Sequence, residues 1–213
     1  MKNIENQIKK ELTNTVGKSH YNGWHNRTTF GYHSYNFDNV NIVGQRNPKI
    51  RLSDIKKYID FSEKNVIDFG CNVGAMLHHL TEIKNGLGFD YDEKCINAAN
   101  NISNILGRDN LNYNVHDFDK NSYDDLKNKI NVKPDIIFIL SLGSWVKSWQ
   151  KLYNICLEYN CDIILEINNI DEGKSQLDFF KNKGCKVKLI IDNSLDDSTG
   201  NNKRKTYLIN KKK

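Results

Sequence analysis

Apolar and polar positions alternate along this chain in blocks. Short apolar runs at residues 65–69, 86–89, 111–115, 134–142, 161–167, 186–191 and 206–209 have the length and the β-branched, aromatic character of buried strands. Most of the stretches between them carry apolar residues every three or four positions, the period of a helix with one inward face. They predict helices over 75–81, 92–106, 122–130, 148–158 and 175–183. In the second of these, Cys95, Ile96, Ala99, Ile102 and Leu106 share one face. Strands alternating with helices predict an α/β fold with a mostly parallel sheet. The last two runs, joined by the polar loop 192–204, predict an antiparallel hairpin at the sheet edge.

The stretch that organises the rest is Asn65-Val-Ile-Asp-Phe-Gly-Cys-Asn-Val-Gly-Ala-Met76. Asp68 falls at the carboxyl end of a strand, where open parallel sheets bind ligands. Gly70 and Gly74 let the backbone turn sharply and approach a bound molecule. The spacing Asp-x-Gly-x-x-x-Gly differs from the Gly-x-Gly-x-x-Gly of dinucleotide binders. The next apolar run ends in Gly88-Phe89-Asp90, and an acid there can accept both hydroxyls of a ribose. The third ends in His116-Asp117-Phe118, which offers an acceptor and a ring to a nucleobase. The residues alone therefore imply a nucleoside-type ligand on a Rossmann-like, seven-stranded sheet flanked by helices, closed by the C-terminal hairpin.

This set of motifs resembles that of the class I S-adenosylmethionine (SAM)-dependent methyltransferases. The resemblance implies SAM as cofactor and S-adenosylhomocysteine (SAH) as product. It assigns cofactor contacts to Asp68, Gly70, Asn72, Gly74, Asp90, Tyr91, Asp117, Phe118, Leu140 and Ser141. The exit of the fourth run, Ser141-Leu-Gly-Ser-Trp-Val-Lys147, would lie beside the methyl donor, which makes Trp145, Lys147 and Trp149 candidate substrate contacts. Three stretches, Gly44-Gln-Arg-Asn-Pro48 with Arg51-Leu52, Asp68-Phe-Gly-Cys-Asn-Val-Gly74 and Leu140-Ser-Leu-Gly-Ser-Trp-Val146, look like the bicoid-interacting, methylphosphate-capping RNA methyltransferases. That likeness implies methylation of a terminal 5′-phosphate, with Arg46 and Arg51 near the SAM tail and the phosphate. Gly31-Tyr-His-Ser34 is also similar to the tRNA wobble-uridine modification methyltransferases. RNA is thus the first acceptor expected. A small-molecule O- or N-acceptor is the alternative, and a non-catalytic SAM-binding protein a third.

Ahead of the core, Ile4, Ile8 and Leu12 predict a short amphipathic helix over 4–15. Residues 20–47 are dense in aromatics, histidines and amides, and predict no regular element. They are expected to form a lid and substrate wall, with His33 as a candidate base or hydrogen-bonding group. A neutral hydroxyl acceptor would need such a base, with His116 and Lys147 the other candidates. Ser53 is expected to cap a helix running to about residue 61. The chain then divides into an N-terminal helix and aromatic lid, 1–52, and a methyltransferase core, 53–213.

Length and charge narrow the picture further. The 213 residues fit one domain. No run is long enough to span a bilayer, the start has no signal-peptide core, and no membrane partner is expected. The five cysteines form no Cys-x-x-Cys pair, so neither a disulfide framework nor a metal site is expected, and the compartment is expected to be reducing and cytoplasmic. Net charge is +5, and residues 202–213 carry much of the excess, which would attract a polyanion.

Overall fold

The structure is a computed structural model and describes residues 4–16, 31–37, 39–168, 170–197 and 204–211. Strands β3 (Asn65–Phe69), β4 (Asn85–Asp90), β5 (Leu111–Val115), β6 (Ile136–Leu140), β7 (Asp162–Glu166), β8 (Cys185–Ile191) and β9 (Thr206–Lys211) form one sheet. Its order is β5-β4-β3-β6-β7-β9-β8. The pairs from β5 to β7 are parallel, and β9 runs antiparallel to both β7 and β8. The Rossmann-like sheet and the C-terminal hairpin read from the sequence are both present.

Alternation along the central strands builds two cores. Val66, Phe138 and Ile164 face one side, where they meet α2 (Pro48–Ile55), α3 (Ala75–His78) and α4 (Glu93–Leu106) through Leu52, Ile55, Leu77 and Ile96. Ile67, Ile137 and Ile163 face the other side. There α5 (Tyr123–Lys129), α6 (Trp149–Glu158) and α7 (Ile170–Asn182) contribute Leu126, Leu152, Tyr153 and Phe180. Chain order runs outward from β3 to β5 and then returns to β6 on the other flank of β3. Strand order therefore reverses between β3 and β6, and a crevice opens there at their carboxyl ends.

Four boundaries differ from the sequence reading, one of them the end of α2, which falls at Ile55 and not near residue 61. Helix α2 starts at Pro48 and is capped by Asn47, whose Oδ1 accepts from Lys49 N at 3.0 Å and Ile50 N at 3.3 Å. Proline suits the first helical position, so Asn-Pro outcompetes Ser53, which lies inside the helix and donates to Ile50 O. Helix α3 stops at His78, short of residue 81, because Arg108 draws the carbonyls of His78 (3.0 Å) and Leu80 (2.7 Å) toward itself. Helix α7 begins at Ile170, before the expected 175. Gly173, which reads as a breaker, is inside it; a Cβ there would meet Ile167 Cδ1 at 2.4 Å.

A two-stranded hairpin, β1 (Tyr35–Phe37) and β2 (Val40–Ile42), occupies part of the segment expected to be irregular. It packs with α1 (Ile4–Val16) on α4, through Ile8, Leu12, Tyr35, Val40, Ile42 and Ile102. Tyr35 donates to Val73 O at 2.8 Å and contacts His78 Nδ1 at 3.2 Å, which fastens the hairpin to the glycine turn. Residues 20–30, the densest part of the expected aromatic lid, lie outside the described residues.

The sheet beneath the site has no spare room. A Cβ on Gly88 would stand 2.4 Å from Tyr113 Cδ1 and 2.8 Å from Cys71 Sγ. Gly88→Ala is expected to destabilise by about 1–3 kcal/mol through overpacking, read as a lower thermal midpoint; an unchanged midpoint would mean the Tyr113 ring moves freely. No helix among the described residues is long and apolar enough to cross a membrane.

Candidate active site

A cavity of about 400 Å³ opens at the crevice between β3 and β6, within the roughly 300–1,000 Å³ typical of small-ligand sites. Its floor is the turn after β3. Gly70, Asn72 and Gly74 take φ of +78°, +51° and +73°, the left-handed region in which glycine and asparagine are at least strain. Gly70 N and Cys71 N both donate to Phe89 O, at 2.8 and 3.0 Å. Asn72 N donates to Asp90 Oδ2 at 2.9 Å, so turn and acid are locked together. A side chain at Gly74 would enter the Tyr113 ring, 2.5 Å away, and one at Gly70 would meet Leu142 at 2.9 Å.

Two buried acids line this cavity. The Asp68 carboxylate accepts no hydrogen bond from any described residue; burial pushes it up to about 8, with Arg51 pulling it down and Asp90 adding to the rise. Asp90 is raised to about 6, again by burial, while the backbone N–H groups of Asp92 and Asn72 oppose the shift. Asp117 also lines the cavity, but its Oδ1 is committed to Asp119 N and Lys120 N and its Oδ2 to Lys120 Nζ. Phe118 reaches the cavity from the core, where it stands edge-on to Phe69 and His116.

The wall opposite the acids is made by segments far apart in the chain. Glu166, at the end of β7 and buried, pairs with Arg46 (3.4 Å), Arg51 (3.3 Å) and Arg204 (3.3 Å). Asp196 takes Arg46 Nε at 2.9 Å and Arg51 Nε at 3.0 Å, and Asp197 takes Arg46 NH1 at 3.3 Å. Three guanidinium groups thus balance three carboxylates in the interior. Burial alone would raise Glu166, but Arg51, Arg46 and Arg204 hold it down at about 2. Ser141, the residue after β6, sits at φ +60°, and its hydroxyl donates to Glu166 and accepts from Arg204. A non-glycine residue in that region carries strain of order 1 kcal/mol, and this hydroxyl bridge, with Ser141 O accepting from Asn168 at 3.1 Å, holds it there.

His33 also lines the cavity and is almost wholly buried, with no hydrogen-bond partner for Nδ1 among the described residues. Burial and then the charges of Arg51, Arg46 and Arg204 push its pKa well down, so the imidazole is neutral. Its backbone is fixed from both sides: Arg46 N donates to Tyr32 O at 2.7 Å and Ser34 N to Arg46 O at 2.8 Å.

Of the residues singled out in the sequence, His33, Arg51, Asp68, Gly70, Asn72, Asp90, Tyr91, Asp117, Phe118, Leu140, Ser141, Trp145 and Lys147 line this one cavity. Arg46 and Gly74 do not. Gly74 shapes the turn from behind, and Arg46, expected near the SAM tail or a phosphate, is instead sealed within the ion cluster away from the cavity. Trp149 packs on Tyr153 and Phe179, and His116 is buried among Phe89, Phe118 and Tyr123, both away from the cavity. Tyr32, Cys71, Met76, Asp92, Asp119, Lys120 and Arg204 line it without having been singled out in the sequence, while Leu142 and Val146 come with the stretch 141–147. No cluster of three or more His, Cys, Asp or Glu among the described residues could hold a metal ion.

No family model matches the chain, and no curated protein matches it significantly in sequence. The narrower likeness to the methylphosphate-capping enzymes therefore finds no support. Solved structures do match in fold. The N-terminal domain of EvdMO1, crystallised with SAH and D-fucose, superposes with a TM-score of 0.61 at 12% identity, over 84% of this chain and 90% of that one. Against the longer EvdMO1 structure the chain spans 43% of the length. An rRNA methylase from Streptococcus thermophilus gives 0.56 at 13% identity, over 77% and 95% of the two chains. A SAM-dependent methyltransferase from Aquifex aeolicus gives 0.56 at 15%, over 78% and 90%.

Proposed function

We propose that this chain transfers a methyl group from SAM to a small acceptor entering the cavity beside Ser141. The observation that carries the reading is the left-handed turn after β3, tied through Asn72 N to the Asp90 carboxylate at the reversal of strand order. The residues present fit the cofactor. The Asp90 carboxylate accepts from Asn72 N at 2.9 Å, from Asp92 N at 3.0 Å and from the Tyr91 backbone, and with about four acceptor sites keeps capacity for a ribose hydroxyl. The Asp68 carboxylate, buried and without a hydrogen bond from any described residue, suits a cationic group such as an ammonium. Arg51 lines the same cavity and suits a carboxylate.

When bound, SAM supplies an electrophilic methyl group, so the chain's own task is alignment and exclusion of water. Ser141 and Leu142 form the wall next to the turn, and Trp145, about half exposed, flanks the mouth. Burial, and then the guanidinium groups around it, hold His33 neutral, so carrying away a proton is opposed there. It serves as a hydrogen-bonding group, and the acceptor is one that reacts already ionised or through a nitrogen lone pair.

Two features favour a small molecule over RNA. Among the described residues the rim carries Asp92, Asp117 and Asp119 against Lys120 and Lys147, with no basic excess to draw in a polyanion. Arg46, one of the two groups a terminal phosphate would need, is sealed among buried carboxylates and does not line the cavity. RNA stands as the second reading on the strength of the basic stretch 202–213. The test is incubation with labelled SAM and a cell extract, followed by separation of small molecules from RNA. Label in the small-molecule fraction is expected; label confined to RNA and abolished by moderate salt would reverse the choice of acceptor.

A further inference from the structure

The acceptor end of the cavity has a chemical polarity. Arg51 and Arg204 line it, whereas Glu166, Asp196 and Asp197, the acids that neutralise them, do not. Seen from the cavity, the wall presents guanidinium groups with their counter-charges behind. Arg51 has a place in the cofactor reading. Arg204 does not, and its surroundings are built to hold it still. Its NH1 donates to the Ser141 hydroxyl and to Glu166 Oε1, and Tyr32 adds a hydrogen bond. Only 8% of its surface is exposed. The strained Ser141 backbone supplies one of these partners, and strain kept at a cavity wall points to a positional requirement.

The geometry points to Arg204 as the specificity-determining residue for the acceptor, receiving a carboxylate carried by that small molecule. A guanidinium has five donors in a planar fork. The described residues engage NH1 and add the Tyr32 contact, which leaves capacity for an oxyanion on the cavity side. The fork is pre-oriented, so an incoming carboxylate meets a donor array that needs no rearrangement. A primary amide of the same shape keeps one accepting oxygen but sets an N–H against the fork's second donor and carries no charge, so it binds more weakly. Ser141 and Glu166 are positioning residues in this account. The identity of the acceptor rests on the methyl-transfer reading, but the anion site is defined by Arg204 itself.

The experiment is calorimetric titration of acetate and benzoate, each against its primary amide, and of inorganic phosphate, with and without SAH. Saturable binding of at least one carboxylate is expected, with its amide at least ten-fold weaker and phosphate weaker than the carboxylate. Arg204→Gln should abolish that preference while SAH affinity stays within about two-fold. If Arg204→Gln does not fold, Arg204→Lys, which keeps the charge and loses the fork, should weaken carboxylate binding several-fold. Ser141→Ala should do so to a lesser degree. Amides binding as well as acids, no carboxylate binding, or carboxylate binding unaffected by Arg204→Gln or Arg204→Lys would overturn the proposal. Phosphate as the preferred anion would overturn the carboxylate assignment. Failure of SAH to bind would count against the cofactor reading alone, because the carboxylate preference and its loss in the variants can be read without SAH.

Discussion

Glu166→Ala is expected to be the most damaging single substitution in the chain, lowering stability by about 3–5 kcal/mol, the usual effect of breaking a buried ion pair from one side. Glu166 is fully buried and pairs with three arginines, two of which also pair with Asp196. Removing it leaves three guanidinium groups facing two carboxylates in the interior. Its depressed pKa, about 2 against an ordinary 4.5, gives a consistent figure of roughly 3 kcal/mol by linkage. The sign follows from the depression: this stabilisation is complete above pH 4.5 and fades as pH falls toward 2. Thermal or denaturant unfolding at pH 7 checks it. A Glu166→Ala midpoint close to that of the parent would mean that the arginines rotate to solvent at little cost. The cluster also joins the N-terminal segment to the β8–β9 loop through Asn47 N and Asp196 O, 2.8 Å apart, so acceptor turnover should fall with stability.

Asp68→Asn is expected to act in the opposite direction, stabilising the ligand-free protein while weakening SAM binding. Burial raises the Asp68 carboxyl to about 8. A carboxyl whose folded pKa lies above its unfolded value binds its proton more tightly in the folded state. Stability therefore falls as pH rises from about 4 to 8 and is level beyond. Full ionisation at Asp68 costs on the order of 4–6 kcal/mol. The amide removes that penalty without changing shape. The variant should exceed the parent only modestly at pH 5 and by much more at pH 8.5, where its thermal midpoint should be higher by on the order of 10 °C. Equal differences at the two pH values would show that Asp68 is not the titrating group. A buried acid that destabilises the empty fold yet faces the cavity is the pattern expected of a binding residue.

The sheet was legible because its central strands are buried on both faces and read as unbroken apolar runs, as in 136–140 and 163–165. The cavity lining around the glycine turn was legible because its residues are neighbours in sequence or stand at equivalent strand ends. The hairpin was not read, although Tyr35 and Phe37 alternate with Asn36, and Val40 and Ile42 with Asn41. That period-2 signal is short and lies next to a run of aromatics and histidines. The ion cluster was invisible for a different reason: Arg46 and Glu166 are 120 residues apart, and Arg46 and Asp197 are 151. An isolated arginine carries no mark of its partner, so Arg46 read as a ligand contact and Arg204 as part of a basic tail. The one available hint was an acid closing a strongly apolar strand, Glu166 after Ile163-Ile-Leu165.

The claim on which the account turns is that the Asp90 end of the cavity holds a SAM-type nucleoside. Calorimetric titration of SAH into the chain and into Asp90→Ala tests it directly. One site per chain is expected, with affinity at least about 30-fold weaker in the variant, the loss of roughly 2 kcal/mol that follows when a charged acceptor of hydrogen bonds is removed. Binding that is absent from the parent, or equal in parent and variant, would contradict the account.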